Sequence, residues 1–183
     1  MRRLALLPLL VAACSPYTAR PYFPPVTGAP AAELELGRTD ATETLAAVLR
    51  SDTLPVSKVE LKDGYLETSW FDAASKQATG ARPVGPGVVR IRGWVNPTRS
   101  GFSEIIVETV YRPLADPSRP GRELEQQVPP DHPVGKRIQQ IVSELSKLYN
   151  REEPFSGPTL DGPDAKSEDA QPAPPPKPAP TPR

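Results

Sequence analysis

Cysteine, histidine and methionine each occur once in this chain of 183 residues, and aromatic residues make up only 6% of it. A lone Cys14 excludes an internal disulfide. A lone His132, with no second histidine or spare cysteine, excludes a zinc centre of the usual composition. A Ser-His-Asp arrangement would have to use His132, and no serine stands in a G-x-S-x-G context. Residues Gly80–Gly87 contain glycines but lack the lysine-serine ending of a phosphate loop. Pro83 and Pro86 also remove amides that such a loop needs, so the segment reads as a flexible connection. Charge of one sign is lacking too: 22 basic residues face 22 acidic ones. No net charge draws the chain as a whole to nucleic acid or to an anionic surface. The carboxylate pairs Glu104/Glu108 and Glu123/Glu125 lie beside arginines. They are better explained as a solvated, salt-bridged face than as the facing acids of a glycosidase. No catalytic residue, metal or cofactor is expected.

What is present begins at the N-terminus. Arg2 and Arg3 form a positive region, and Leu4–Leu10 an apolar run of signal-peptide length. Small residues then lead directly to Cys14. The run is too short to cross a bilayer comfortably as a helix. Val11-Ala12-Ala13-Cys14 resembles the lipobox of bacterial lipoproteins. The resemblance implies removal of residues 1–13, a diacylglyceryl thioether on Cys14, acylation of the new amine, and membrane attachment. Ser15 follows the anchor where, in the proteobacterial rule, an aspartate favours inner-membrane retention. The resemblance therefore implies the periplasmic face of the outer membrane.

Proline divides the remainder. Residues 14–32 hold five prolines and read as an extended tether, from which Tyr17, Tyr22 and Phe23 are free to touch the domain or the lipid interface. Residues 151–183 hold ten and read as a disordered, polyproline-favouring tail. The folded domain is expected over residues 33–150.

Within it, Asp40 reads as a helix cap with Glu43 completing a capping-box-like pair, and Leu45, Val48 and Leu49 as the apolar face. Pro55 stops this helix. Leu54–Leu61 and Tyr65–Phe71 read as strands joined at Asp63-Gly64, with Leu66, Thr68 and Trp70 on the core face and Phe71 on the other. Residues 72–87 read as a loop. Val88–Val95 and Phe102–Arg112 form an expected hairpin joined by 96–101. With Val95 opposite Gly101, Val89 meets Val107 and Ile91 meets Ile105 on one face. Arg92 meets Glu104 and Val88 meets Glu108 on a charged face turned to water. A short strand is expected over Arg122–Val128. Asp131 reads as the cap of a last helix with Pro133 in its first turn. Its apolar stripe is Val134, Ile138, Ile141, Val142, Leu145, Leu148 and Tyr149. The expected fold is α+β: an antiparallel sheet of about four strands with two helices on one face, helix-grip-like.

Gly64–Phe71, read as G-x-L-x-T-x-W followed by an aromatic, with Arg90-Ile91-Arg92 after it, is similar to a signature of BamC/NlpB-like envelope lipoproteins. The resemblance covers about residues 40–149 and implies a non-enzymatic accessory of outer-membrane assembly. This chain has one such domain, not two, and adds a proline-rich tail.

The expected function is a lipid-anchored interaction module, whose partners are the membrane, through Cys14, and an outer-membrane protein complex. The candidate surface is the outer sheet face: Arg90, Arg92, Trp94, Phe102 and Glu104. Trp94 and Phe102 are expected to pair there, covered by the helix 133–149, by a loop of the chain or by a partner. The alternatives are a carrier of a lipid or other apolar ligand held between helices and sheet, and a cell-wall spacer acting through the tail.

Overall fold

The computed structural model describes residues 18–80 and 84–150. Its elements in chain order are β1 (Ala31–Leu34), α1 (Arg38–Ser51), β2 (Val56–Glu60), β3 (Tyr65–Thr68), β4 (Phe71–Asp72), β5 (Val88–Arg99) and β6 (Phe102–Tyr111). A 3-10 turn (Gly121–Leu124), β7 (Gln126–Gln127) and α2 (Pro133–Tyr149) complete it. All seven strands join one antiparallel sheet of order β1-β6-β5-β3-β2, with β4 added to β5 and β7 to β6. The expectation of about four strands is therefore wrong, although the α+β character holds. β1 was not expected, β4 was read as the end of the strand Tyr65–Phe71, and β7 as part of Arg122–Val128; the three are two to four residues long. So few residues cannot display a period of two.

Both helices pack on one face. Ala41, Leu45, Ala46 and Leu49 of α1 and Val134, Ile138, Ile141, Val142 and Leu145 of α2 share one core with Leu66, Phe71, Val89, Ile91, Val95, Ile105 and Val107 of the sheet. Each fully buried aliphatic side chain contributes roughly 1.5–3 kcal/mol of transfer free energy. Gly93 lets α1 close on the sheet: a Cβ there would lie 2.9 Å from Leu45 Cδ2 and 3.1 Å from Leu66 Cγ. The end of α2 is tied down where the Glu35 amide donates to the Tyr149 carbonyl at 2.8 Å.

Several local expectations are corrected. Helix α1 starts at Arg38 with Gly37 at the cap position, so Asp40 is not the cap. It lies in the first turn, where its charge opposes the positive end of the helix dipole. His132, not Asp131, occupies the cap position of α2. Leu148 is 57% exposed and leaves the apolar stripe. The expected strand over Arg122–Val128 is a 3-10 turn followed by β7. His132 Nε2 lies 3.0 Å from the Pro86 carbonyl, a structural contact.

The β5–β6 register differs from expectation by four residues. Val95 pairs with Ile105, Ile91 with Thr109, Val89 with Tyr111 and Arg92 with Glu108. Asn96–Arg99 extend the strand, and the turn is Ser100-Gly101, with Gly101 in the left-handed region at φ +79°. A shift of four is even, so every side chain keeps its expected face while changing its partner.

Trp70 and Phe71 exchange their expected faces. β3 ends at Thr68 and β4 begins at Phe71, so Ser69 and Trp70 interrupt the alternation. Phe71 pairs with Val89 and is fully buried in the core. Trp70 turns to the opposite face, beneath Arg90 and Arg112.

Candidate functional site

The face of the sheet away from the helices carries Tyr65 and Glu67 of β3, Arg90, Arg92, Trp94 and Asn96 of β5, and Glu104, Ile106, Glu108 and Val110 of β6. Chain alternation puts them on one side. The charged side chains among them were expected to face water, and Trp94 to be covered. Instead, two segments cover much of this face: residues 19–30, and the connection containing the 3-10 turn and β7.

Residues 19–30, expected as tether, run along the sheet. The Ala19 amide donates to Asp63 Oδ2 at 2.7 Å, and Lys58 Nζ donates to the Ala19 carbonyl at 2.9 Å. The Val26 amide donates to Glu108 Oε2 at 2.8 Å, and Arg122 Nη2 to the Pro24 carbonyl at 3.1 Å. The Val107 amide donates to the Pro30 carbonyl at 2.9 Å. Pro21, Pro24, Pro25 and Pro30 restrict the unfolded chain as well, so laying this segment down in extended form loses less entropy.

Beneath it lies a buried charged network. Glu108 is fully buried, Arg92 is 4% exposed, and the Glu125 side chain is 1% exposed. Arg92 Nη1 donates to Glu108 Oε1 and to Glu125 Oε2, both at 2.8 Å, and its Nη2 donates to Glu125 Oε1 at 3.1 Å. Arg122 Nη1 reaches the same two carboxylates at 2.9 and 3.1 Å, and Arg112 Nη2 donates to Glu125 Oε1 at 3.1 Å. Glu67 borders the cluster, 3.6 Å from Arg92 Nε, and accepts the Tyr65 hydroxyl at 2.8 Å.

Burial works against a charge on Arg92, but the hydrogen bonds and charges of Glu125 and Glu108 outweigh it and hold its pKa above the ordinary value. Burial would also raise Glu125, yet hydrogen bonding to Arg92, with Arg122 and Arg112, brings it below the ordinary carboxylate value. Tyr65 is pushed up by burial and by its bond to Glu67. Arg90 is lowered by burial, partly offset by Glu67.

Aromatic rings close the site. Trp94, 1% exposed, meets Tyr65 edge-on at 5.6 Å and Phe23 at 6.4 Å. Phe23 in turn lies under the guanidinium groups of Arg92 at 5.3 Å and Arg122 at 4.2 Å. Arg90 and Arg112 each stand 4.8 Å from the Trp70 ring.

Of the expected surface residues, Arg90, Arg92, Trp94 and Glu104 do share this face, but Arg92 and Trp94 are sealed from solvent. Phe102 does not pair with Trp94. It pairs with Arg99, whose guanidinium lies 3.7 Å over its ring, while Trp94 pairs with Ile106. Glu104 pairs with Asn96 and neighbours Glu33 of β1, outside the network. The cover over Trp94 is the chain's own Phe23. Cys14, the expected lipidation site, lies outside the described residues.

The central roles of Glu108 and Glu125 were not expected; of the two places open to Phe23, the domain and the lipid interface, it takes the domain. Alternating Arg and Glu on two strands look the same whether the face is wet or covered. The one available signal was the run of aromatics, Tyr22 and Phe23, inside a proline-rich stretch.

Both oxygens of Glu108 and both of Glu125 accept hydrogen bonds within the network. The arrangement works as a latch: it fastens residues 19–30 and the 3-10 segment to the sheet through paired charges, with Arg92 Nε and Arg112 Nε left buried without a hydrogen-bond partner. No family model matches the chain, and no curated protein matches it.

Proposed function

We propose that this chain is a lipid-anchored, non-catalytic interaction module of the bacterial cell envelope, held at the periplasmic face of the outer membrane through Cys14 and serving as an accessory to an outer-membrane protein complex. The observation that carries the reading is the ordered run of Arg2-Arg3, apolar residues, Val11-Ala12-Ala13 and Cys14, which holds the only thiol of the chain. Two acyl signals anchor stably where one would not. Anchoring also concentrates the domain at the membrane, so that a weak protein contact suffices for engagement. The engaged carboxylates of Glu108 and Glu125 support a structural rather than acid-base role for the charged network. Leu45 and Leu66 close the space between α1 and the sheet at Gly93.

The test is metabolic labelling with a palmitate analogue in a bacterial host, followed by mild-detergent pulldown. The natural chain is expected to incorporate label and fractionate with the outer membrane, and Cys14→Ala to do neither. Full labelling of Cys14→Ala would remove the reading.

A further inference from the structure

Ala19 is five residues past Cys14 and is already fixed to the domain. Its amide is held by Asp63 and its carbonyl by Lys58. Arg20 then donates to Asn96 Oδ1 and to the Asp63 carbonyl. These partners lie at one end of the sheet. Asp63 is in the β2–β3 turn, Asn96 is toward the hairpin end of β5, and the Val95 amide donates to the Gly64 carbonyl at 2.8 Å. A fully extended chain advances at most about 3.6 Å per residue, so Cys14 lies within roughly 18 Å of Ala19. The stretch of β5 from Val88 to Asn96 is longer, roughly 26 Å at about 3.3 Å per residue. An anchor at Cys14 therefore brings this end of the sheet, and not the end at Val88 and Asp72, to the bilayer.

The charge immediately around the β2–β3 turn fits that placement: Arg20, Arg38, Lys58 and Lys62 gather there against Asp63 and Glu60, whereas the hairpin side of the same end carries Glu33 and Glu104 with Arg99. The Arg38 side chain lies against Gly64. Burial first, and then the charge of Arg38, lower the pKa of Arg20, as expected for cations crowded at one place. Lys62 and Arg38 are exposed. Cations on a surface next to a bilayer are attracted by lipid phosphates.

Resting on the lipid-anchor reading above, we propose that the β2–β3 turn, with Arg20, Arg38, Lys58 and Lys62, is the surface that faces the phospholipid headgroups. The domain stands against the membrane in one orientation instead of swinging on a tether. The opposite end, with Asp72–Lys76 and Gly85–Val88, is presented away from it.

The single thiol makes this testable without cellular acylation. The chain from Cys14 onward is coupled through that thiol to a maleimide lipid in phosphatidylcholine–phosphatidylglycerol vesicles. A fluorescent amino acid replaces either Thr39, beside Arg38, or Ala74, both exposed and at opposite ends of the domain, and a headgroup-attached nitroxide lipid serves as quencher. Quenching is expected to be severalfold stronger at position 39; equal quenching, or stronger quenching at 74, would overturn the orientation. On purely phosphatidylcholine vesicles, a long Gly-Ser insert between Ser15 and Pro16 should equalise the two positions. A difference that survives the insert would overturn the role given to the short linker. Absence of Cys14 labelling in cells would remove the anchor reading itself, an outcome distinct from either result on coupled vesicles.

Discussion

Glu108→Gln removes one charge from the centre of the latch with almost no change in volume. The natural carboxylate accepts Arg92 Nη1 and Arg122 Nη1 on one oxygen, and the Val26 amide and Arg122 Nη2 on the other. A glutamine keeps one accepting oxygen and turns an NH2 group toward donors. Hydrogen bonds to a charged group contribute about 1.5–3 kcal/mol each. Breaking a buried pair by removing one partner costs about 3–5 kcal/mol. Arg122 is a quarter exposed and can turn to water, which places the expected loss near the lower end, about 3 kcal/mol. For a chain of this size that corresponds to a fall in Tm of roughly 6–12 °C. Calorimetry and urea unfolding at pH 7 read the loss. Hydrogen exchange at the Val26 amide reads its location, because that amide donates to the substituted group. A double-mutant cycle with Arg122→Gln should give a coupling above about 1 kcal/mol. A loss below about 1 kcal/mol together with unchanged Val26 protection would refute the latch.

Phe23→Ala should cost about 2–4 kcal/mol and shift Trp94 fluorescence to the red, since Phe23 covers that ring; Tyr22→Ala, at a residue 99% exposed, should stay within about 0.5 kcal/mol. Gly93→Ala should lower the urea midpoint by the equivalent of about 1–3 kcal/mol, because its Cβ meets Leu45 and Leu66. Glu125 has a folded pKa below its unfolded value of about 4.3. Its stabilisation is therefore complete above that value and lost as the pH falls through the folded pKa. Tm should stay level from about pH 7 to 5 and drop below about pH 4, and a Tm that rises on acidification through this range contradicts the assignment. The raised pKa of Arg92 adds no pH dependence in this range, where arginine is charged in the folded and unfolded chain alike.

The sequence by itself determined those elements whose period repeats several times. The stripe Val134–Leu145 could only be a helix burying that side. The alternation of Val89, Ile91 and Val95 against Arg90, Arg92 and Trp94 settled which face each side chain takes, even though the register was displaced by four. β1 and Trp70 escaped it, because four residues display almost no period and one break at Ser69 reverses the assignments after it. Only the tertiary structure decided whether the charged face is wet. Arg92 and Glu108 meet across two strands sixteen residues apart in sequence, and Phe23, Arg112, Arg122 and Glu125 arrive from the N-terminal segment, the end of β6 and the 3-10 connection to seal them. The cost of burying those charges is met by partners distant along the chain, and proximity of that kind is a property of the folded backbone, not of any local pattern.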